Sequence, residues 1–341
     1  MTRVLLTAIF LLTASAAAGA TEAGLAPLTI PGAAGARPLE GVLLYPTAAP
    51  DAPREALGNA VFVGVRVIEG AAPSGGPFPL LILSHGMYGN MRNQAWLAAA
   101  LARRGFVVAA IDHPGTSSFN RDPDAARALW ERQRDISRVI DHLLAQPDLA
   151  IDPGRIYMAG HSLGGFTALL LAGARYDAGR VDALCDTDPQ DLICRIMRGW
   201  HVAETAEDRA AIERDLSDPR ISAFAVFDLG GTQSFSPESL ADVDRPMLVV
   251  GAPRDIEGTG LDLDVESRAL VAGLPSERVT YMEPATLAHF DFLGECTPTG
   301  SALLRAEEPA DAFICIEGGE ERRADHARIV EAVAAFFGDG L

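Results

Sequence analysis

The sequence predicts an α/β fold, a mostly parallel sheet covered by helices on both faces. Short apolar runs recur along the chain and alternate with stretches whose apolar residues return every three or four positions. Several of these runs have no polar interruption, as strands buried on both faces require. The length of 341 residues suits one large domain, or one domain carrying an insertion.

The first twenty residues stand apart from this pattern. Arg3 is followed by an apolar stretch from Val4 to Leu12 and by small residues ending Ala18-Gly19-Ala20, which reads as a secretory signal peptide cleaved before Thr21. The domain is then expected over residues 21–341, exported to the periplasm or beyond. No later segment approaches the roughly 18 uninterrupted apolar residues of a membrane span, so no stable membrane insertion is expected.

Residues 21–37, rich in Ala, Gly and Pro, read as an irregular lead-in. Strands are expected at Glu40–Tyr45, Val61–Val67, Leu80–Ser84, Val107–Asp112, Arg155–Gly160, Ile221–Asp228, Met247–Gly251 and Arg278–Met282. Helices are expected at Asn93–Arg104, Ala125–Leu144, Leu163–Ala174, Ser267–Gly273 and Ala324–Phe337. Strands alternating with helices imply parallel pairing through crossovers. The block 176–220 breaks the alternation. It holds two cysteines, many acids and a few large apolar residues, and reads either as a cap over a site or as a stapled surface excursion.

Gly160-His161-Ser162-Leu163-Gly164 spells G-x-S-x-G between the strand-like run Ile156–Ala159 and the helix-like run from Phe166. A serine at so tight a strand-to-helix turn takes a strained backbone, and a side chain at either glycine would collide with the adjoining elements. The following helix aims its free N–H groups and positive dipole end at the same spot. Ser162 is therefore the expected nucleophile.

A serine hydroxyl needs a histidine base, and that histidine needs a carboxylate to fix its tautomer. In serine hydrolases of this topology the chain order is serine, acid, histidine. Three histidines follow Ser162. His201 precedes both candidate acids, and His326 opens the last helix, where a solvated or capping role is expected; His289, in a loop after the last strand, is the expected base. Asp255, after the run Met247–Gly251, is the preferred acid, and Asp228, ending the run Ile221–Phe227, is the alternative. The oxyanion donors are expected to be the backbone N–H groups of Leu163 and of Met87, in the turn His85-Gly86-Met87-Tyr88-Gly89. Tyr88 is placed to line the pocket, while His85 and His161 read as structural.

The formal charge of −18 argues against nucleic acid and anionic membrane surfaces as partners. The four cysteines, an even number in a chain read as exported, point to disulfides, with the sequence-local pairs Cys185–Cys194 and Cys296–Cys315 favoured. They lack metal-ligand spacing and the histidines are scattered singly, so no metal site is expected.

The turn at His85-Gly86, the stretch Ala128–Ile136, the elbow Gly160–Gly165, and His289-Phe290-Asp291-Phe292-Leu293 followed by Cys296 together resemble the α/β-hydrolase superfamily. More narrowly they resemble its exported bacterial branch of dienelactone-hydrolase-like and platelet-activating factor acetylhydrolase-like proteins. The resemblance implies the α/β-hydrolase fold, a Ser-His-Asp triad and no cofactor. Within it, acetylhydrolases carry the acid at the strand end that Asp228 occupies, whereas cutinases carry it in a G-A-x-x-D pattern that Gly251–Asp255 matches. True dienelactone hydrolases use a cysteine nucleophile, and Ser162 departs from that. The expected function is an exported serine carboxylesterase acting on small short-chain esters, or on phospholipids with a short sn-2 acyl chain. The alternatives are an amidase or peptidase on the same triad and a non-catalytic binding protein on the same fold.

Overall fold

The structure, a computed structural model, describes residues 21–32, 35–254, 258, 260–316 and 319–338. The expected signal peptide and Asp255 lie outside these residues. Among the described residues ten strands form one sheet. In chain order they begin with β1 (Glu22–Ile30), β2 (Leu39–Thr47), β3 (Arg54–Ala56), β4 (Val65–Glu69), β5 (Phe78–Ser84) and β6 (Val107–Asp112). The two-residue strands β7 (Thr116–Ser117) and β8 (Asn120–Arg121) pair apart, and β9 (Ile151–His161), β10 (Ile221–Phe227), β11 (Met247–Val250) and β12 (Val279–Met282) complete the sheet. The order is β12-β11-β10-β9-β5-β6-β2-β1-β4-β3. Neighbours from β12 to β6 are all parallel, and β2 joins this block antiparallel.

The uninterrupted apolar runs are explained by helices on both faces. Successive strand residues point to opposite sides, so Leu80 and Ile82 enter one core while Leu81 and Leu83 enter the other. On the first face pack α3 (Trp130–Leu144), through Ile136, Val139, Ile140 and Leu143, and α4 (Leu163–Leu171), while α2 (Pro123–Arg127) precedes α3. On the second pack α1 (Ala95–Ala102) and α11 (Gly319–Gly338), whose Ile329, Val330, Val333 and Phe337 are buried. Between α4 and β10 stand α5 (Ala178–Thr187), α6 (Leu192–Gly199) and α7 (Ala206–Ile212), which make up the interrupting block. The remaining α-helices among the described residues are α8 (Pro237–Ala241), α9 (Ser267–Gly273) and α10 (Gly300–Glu307).

Three expectations need correction. Residues 22–30 are a strand rather than an irregular lead-in: β1 pairs antiparallel with β2 along its whole length, and Leu28 and Ile30 are buried. Ala, Gly and Pro weigh against a strand locally, but cross-strand pairing overrides propensity. The expected helix Ala125–Leu144 is two helices, because Ala128 leaves helical dihedrals at φ −85°, ψ 59°. The expected strand at Val61 begins only at Val65, since Phe62 bridges Cys296 and the Val63 N–H donates to Glu295 O at 2.8 Å.

The disulfides are Cys185–Cys194 and Cys296–Cys315. The first joins α5 to α6, and the second closes the segment between the 289–296 loop and α11. With partners 9 and 19 positions apart in sequence, each constrains the unfolded chain by about 3 kcal/mol in the loop-entropy picture. Peptide mapping without reductant should return these two pairs alone, and reduction should lower the thermal midpoint by several degrees.

Candidate active site

The elbow is a problem of space. β9 lies between β5 and β10, with Gly160 level with Ser84 and His161 level with Phe227. The chain must reverse into α4 within this crowd. A Cβ on Gly164 would lie 2.0 Å from Ser84 O, and one on Gly160 would lie 2.1 Å from Gly164 O. Ser162, which cannot be glycine and keep a hydroxyl, takes φ 53°, ψ −118°. Its N–H donates to Phe227 O at 2.9 Å, which ties the strained residue to the sheet. Ser162 is also the N-cap of α4 and provides no side-chain cap, so the N–H of Leu163 lacks an intrahelical acceptor.

His289 begins a 3₁₀ turn, His289–Phe292, held from three directions. The Asp291 carboxylate accepts the Ala288 N–H and the Arg322 Nε–H, both at 2.8 Å. Arg322 also donates to Gly294 O and Ile314 O. The His289 carbonyl bonds His161 Nε2 at 2.9 Å, and the Asp291 carbonyl bonds His326 Nε2 at 2.7 Å. His326 is thus neither solvated nor a cap. It stacks face to face on Trp96 at 3.7 Å between centroids, and burial pushes it down to about 4, so it is neutral and serves as a donor. Burial likewise holds His85 and His161 well below the usual histidine range. His201 pairs with Glu204 on the exposed side of the inserted block.

His289 Nδ1 meets Asp228 Oδ2 at 2.7 Å, with both side chains buried. Asp228 directly follows β10 with φ 40°, and its other oxygen accepts the Ala252 N–H at 2.9 Å. The Gly251-Ala252 motif therefore supports Asp228, the alternative acid of the sequence reading.

The turn at His85 is equally constrained. Gly86 O accepts from Gly89 N–H at 3.1 Å and bonds His85 Nδ1 at 2.7 Å. In a trans peptide the Met87 N–H then points the opposite way. His85 O accepts from Arg132, a fully buried guanidinium that also donates to Ser84 Oγ, Thr116 Oγ1 and Thr167 Oγ1. Burial lowers Arg132 to about 9, leaving it charged at neutral pH. Through this one side chain α3 binds the turn, the end of β5 and α4. The sequence stretch Ala128–Ile136 carried this residue, but not its role.

Ser162, Leu163, His289 and Met87 line one cleft of about 280 Å³. The inserted block, the cap of one sequence reading, supplies another wall through Leu192, Ile193, Ile196 and Met197 of α6, with Trp200 beyond it. Phe290, Phe313 and Leu261 complete an apolar lining. His289 is the one titratable side chain among the described lining residues. Tyr88 stands beside Trp200 rather than in the lining. A larger groove between β4 and α1, of about 460 Å³, holds none of the expected site residues. Among the described residues no cluster of three or more His, Cys, Asp or Glu is disposed to hold a metal, and no helix is long and apolar enough to cross a membrane.

A buried acid that sequence reasoning missed supports the Asp228 loop. Glu266 Oε2 accepts the N–H groups of Gly231 and Thr232 at 2.9 and 2.8 Å. Burial, with the Asp228 charge adding to it, pushes its carboxyl up to about 7 from 4.5. The folded state therefore holds more protons than the unfolded chain between these values, and stability falls as pH rises through them. Glu266→Gln, which retains an acceptor for both N–H groups, should remove about 2.5 kcal/mol of the wild-type stability loss between pH 5 and pH 8, as read from urea unfolding at both.

Residues 81–336 match the model of the alpha/beta hydrolase family. Over 101 residues the chain is 35% identical to the cutinase est2 of Thermobifida alba, covering 28% of this chain and 31% of that one. Over 116 residues it is 31% identical to a bis(hydroxyethyl) terephthalate hydrolase of Streptomyces coelicolor, covering 33% and 34%. The matches thus span about a third of these relatives' length. The fold is shared with a ferulic acid esterase from Streptomyces cinnamoneus, at TM-score 0.61 and 21% identity over 94% of this chain and 90% of that one. The family match runs from β5, which precedes the His85 turn, through the elbow and the base loop into α11, and on it the chain belongs to the α/β-hydrolase family.

Proposed function

We propose that the protein is an exported serine carboxylesterase that cleaves small, uncharged esters through an acyl-enzyme on Ser162. The observation that carries this reading is the Asp228–His289 contact in the cleft that Ser162 lines. Ser162 Oγ attacks the ester carbonyl as His289 Nε2 takes its proton. Asp228 holds the Nδ1–H tautomer and stabilises the imidazolium. The N–H groups of Leu163 and Met87 receive the oxyanion. Collapse breaks the bond to the alkoxy oxygen, which leaves as the alcohol with the proton from His289. Water, deprotonated by the same histidine, then releases the carboxylic acid and restores Ser162.

The relatives' names support ester hydrolysis as the chemistry. The lining supports the substrate class: no cationic side chain stands among the described lining residues to receive a phosphate, which favours a neutral ester over a phospholipid. The wall made by α6 favours a small molecule over a polymer surface. Two disulfides and the character of residues 1–20 support export.

Hydrolysis of p-nitrophenyl acetate, butyrate and octanoate tests the reading. Ser162→Ala and His289→Ala should each lower kcat by roughly four to six orders of magnitude. Asp228→Asn should lower it by roughly 10⁴-fold, because the amide imposes the wrong tautomer. Asp255→Asn should stay within about threefold of wild type; the reverse order of the two aspartates would transfer the acid role to Asp255. A fluorophosphonate should label wild type at Ser162; a folded wild type that labels without hydrolysing any ester would return the chain to the amidase reading, and one that does neither to the binding-protein reading.

A further inference from the structure

Two of the elements that line the cleft lie far apart in sequence: the His85–Gly89 turn, through Met87, and the cap, through α6 and Trp200. They are joined by a polar contact. Trp200 Nε1–H donates to the Tyr88 hydroxyl at 3.1 Å, with the rings edge-on and their centroids 5.8 Å apart. Tyr88 follows Met87 directly, and its φ of 53° is one that an L residue holds only when its surroundings impose it. Those surroundings are identifiable. The Tyr88 N–H donates to Thr116 O at 2.8 Å, the Arg121 guanidinium lies 4.8 Å from the ring centroid, and Trp200 holds the hydroxyl.

The cap end of this contact is stiff. Asp191 caps the first N–H groups of α6, and Cys194 is bonded to Cys185 of α5. Trp200 follows α6 directly and is itself buried. A group pressing on Ile196 or Met197 thus presses on an element tied to the residue beside the Met87 amide.

We propose that Trp200 is a positioning residue: its hydrogen bond to Tyr88 couples the cap to the turn that carries the Met87 N–H, so that acyl groups packed against α6 raise kcat. This rests on the acyl-transfer reading above. Contact with the cap becomes stronger as the oxyanion donor is held in place, so binding energy is expressed in the transition state rather than uniformly. Longer acyl chains then gain in kcat instead of only lowering KM.

The test is a double-mutant cycle of Trp200→Phe, which keeps a ring and removes the N–H, with Tyr88→Phe, which keeps the ring and removes the acceptor. Rates are measured with p-nitrophenyl acetate, whose methyl offers least surface to α6, and with the hexanoate. Each single variant should lower kcat for hexanoate about five- to tenfold, the loss of one neutral hydrogen bond, with KM within about twofold. The double variant should be no slower than either single, and the kcat advantage of hexanoate over acetate should shrink in all three. A trifluoromethyl ketone, which forms an oxyanion adduct with the serine, should bind each variant more weakly by the same factor as kcat/KM. Circular dichroism and the thermal midpoint confirm that the conservative variants fold. Additive losses, a change confined to KM, or unchanged kcat and ketone affinity would overturn the coupling. A wild type that hydrolyses esters beside unaltered variants removes the coupling alone, whereas one that neither hydrolyses nor takes up a fluorophosphonate removes both readings.

Discussion

The site depends first on the space between β9 and α4. Gly164 passes so close to the end of β5 that the missing Cβ would overlap Ser84 O, and Gly160 passes as close to Gly164. With those positions fixed as glycine, Ser162 bears the turn's unfavourable dihedral. Its hydroxyl then stands at the carboxyl ends of the strands, where β10 delivers Asp228 and the loop after β12 delivers His289. The strain at one serine is held by a sheet that pairs on both sides of it.

Around this turn the protein has placed charged and polar groups where water does not reach, and nearly every one is matched. Arg132 satisfies two hydroxyl groups and a carbonyl on separate elements besides Thr167 of α4, and His113 bridges Ser84 and Asp135. Asp291 and Arg322 do the same beneath the base loop. Such buried networks are costly when half made and rigid when complete. Here their rigidity falls on the two loops that carry Met87 and His289.

The cleft itself is the opposite environment. It is apolar although the chain is strongly acidic, because the cap turns Leu192, Ile193, Ile196 and Met197 inward and leaves Arg195 and Arg198 on its other side. The disulfide and the helix cap hold a helix of eight residues that alone would be too short to persist in water. The acidity of the chain lies elsewhere and bears on solubility rather than on the substrate.

The sequence by itself determined the parallel sheet, and it pointed to the elbow at Ser162, to His289 as the candidate base and to the sequence-local pairing of the cysteines. Each of these rests on local signals: uninterrupted apolar runs, glycines at fixed spacing, a histidine in the right chain order, and cysteines near one another. Only the tertiary structure brought Asp228 to His289, since two parallel strands end at the same edge and adjacent sequences do not say which acid reaches the ring. It also decided that block 176–220 lines the cleft, that β1 is a strand, and that Arg132, Glu266 and His326 brace the site from within. These are contacts between residues tens to hundreds of positions apart, and burial, which sets their energy, is a property that no local stretch of sequence possesses.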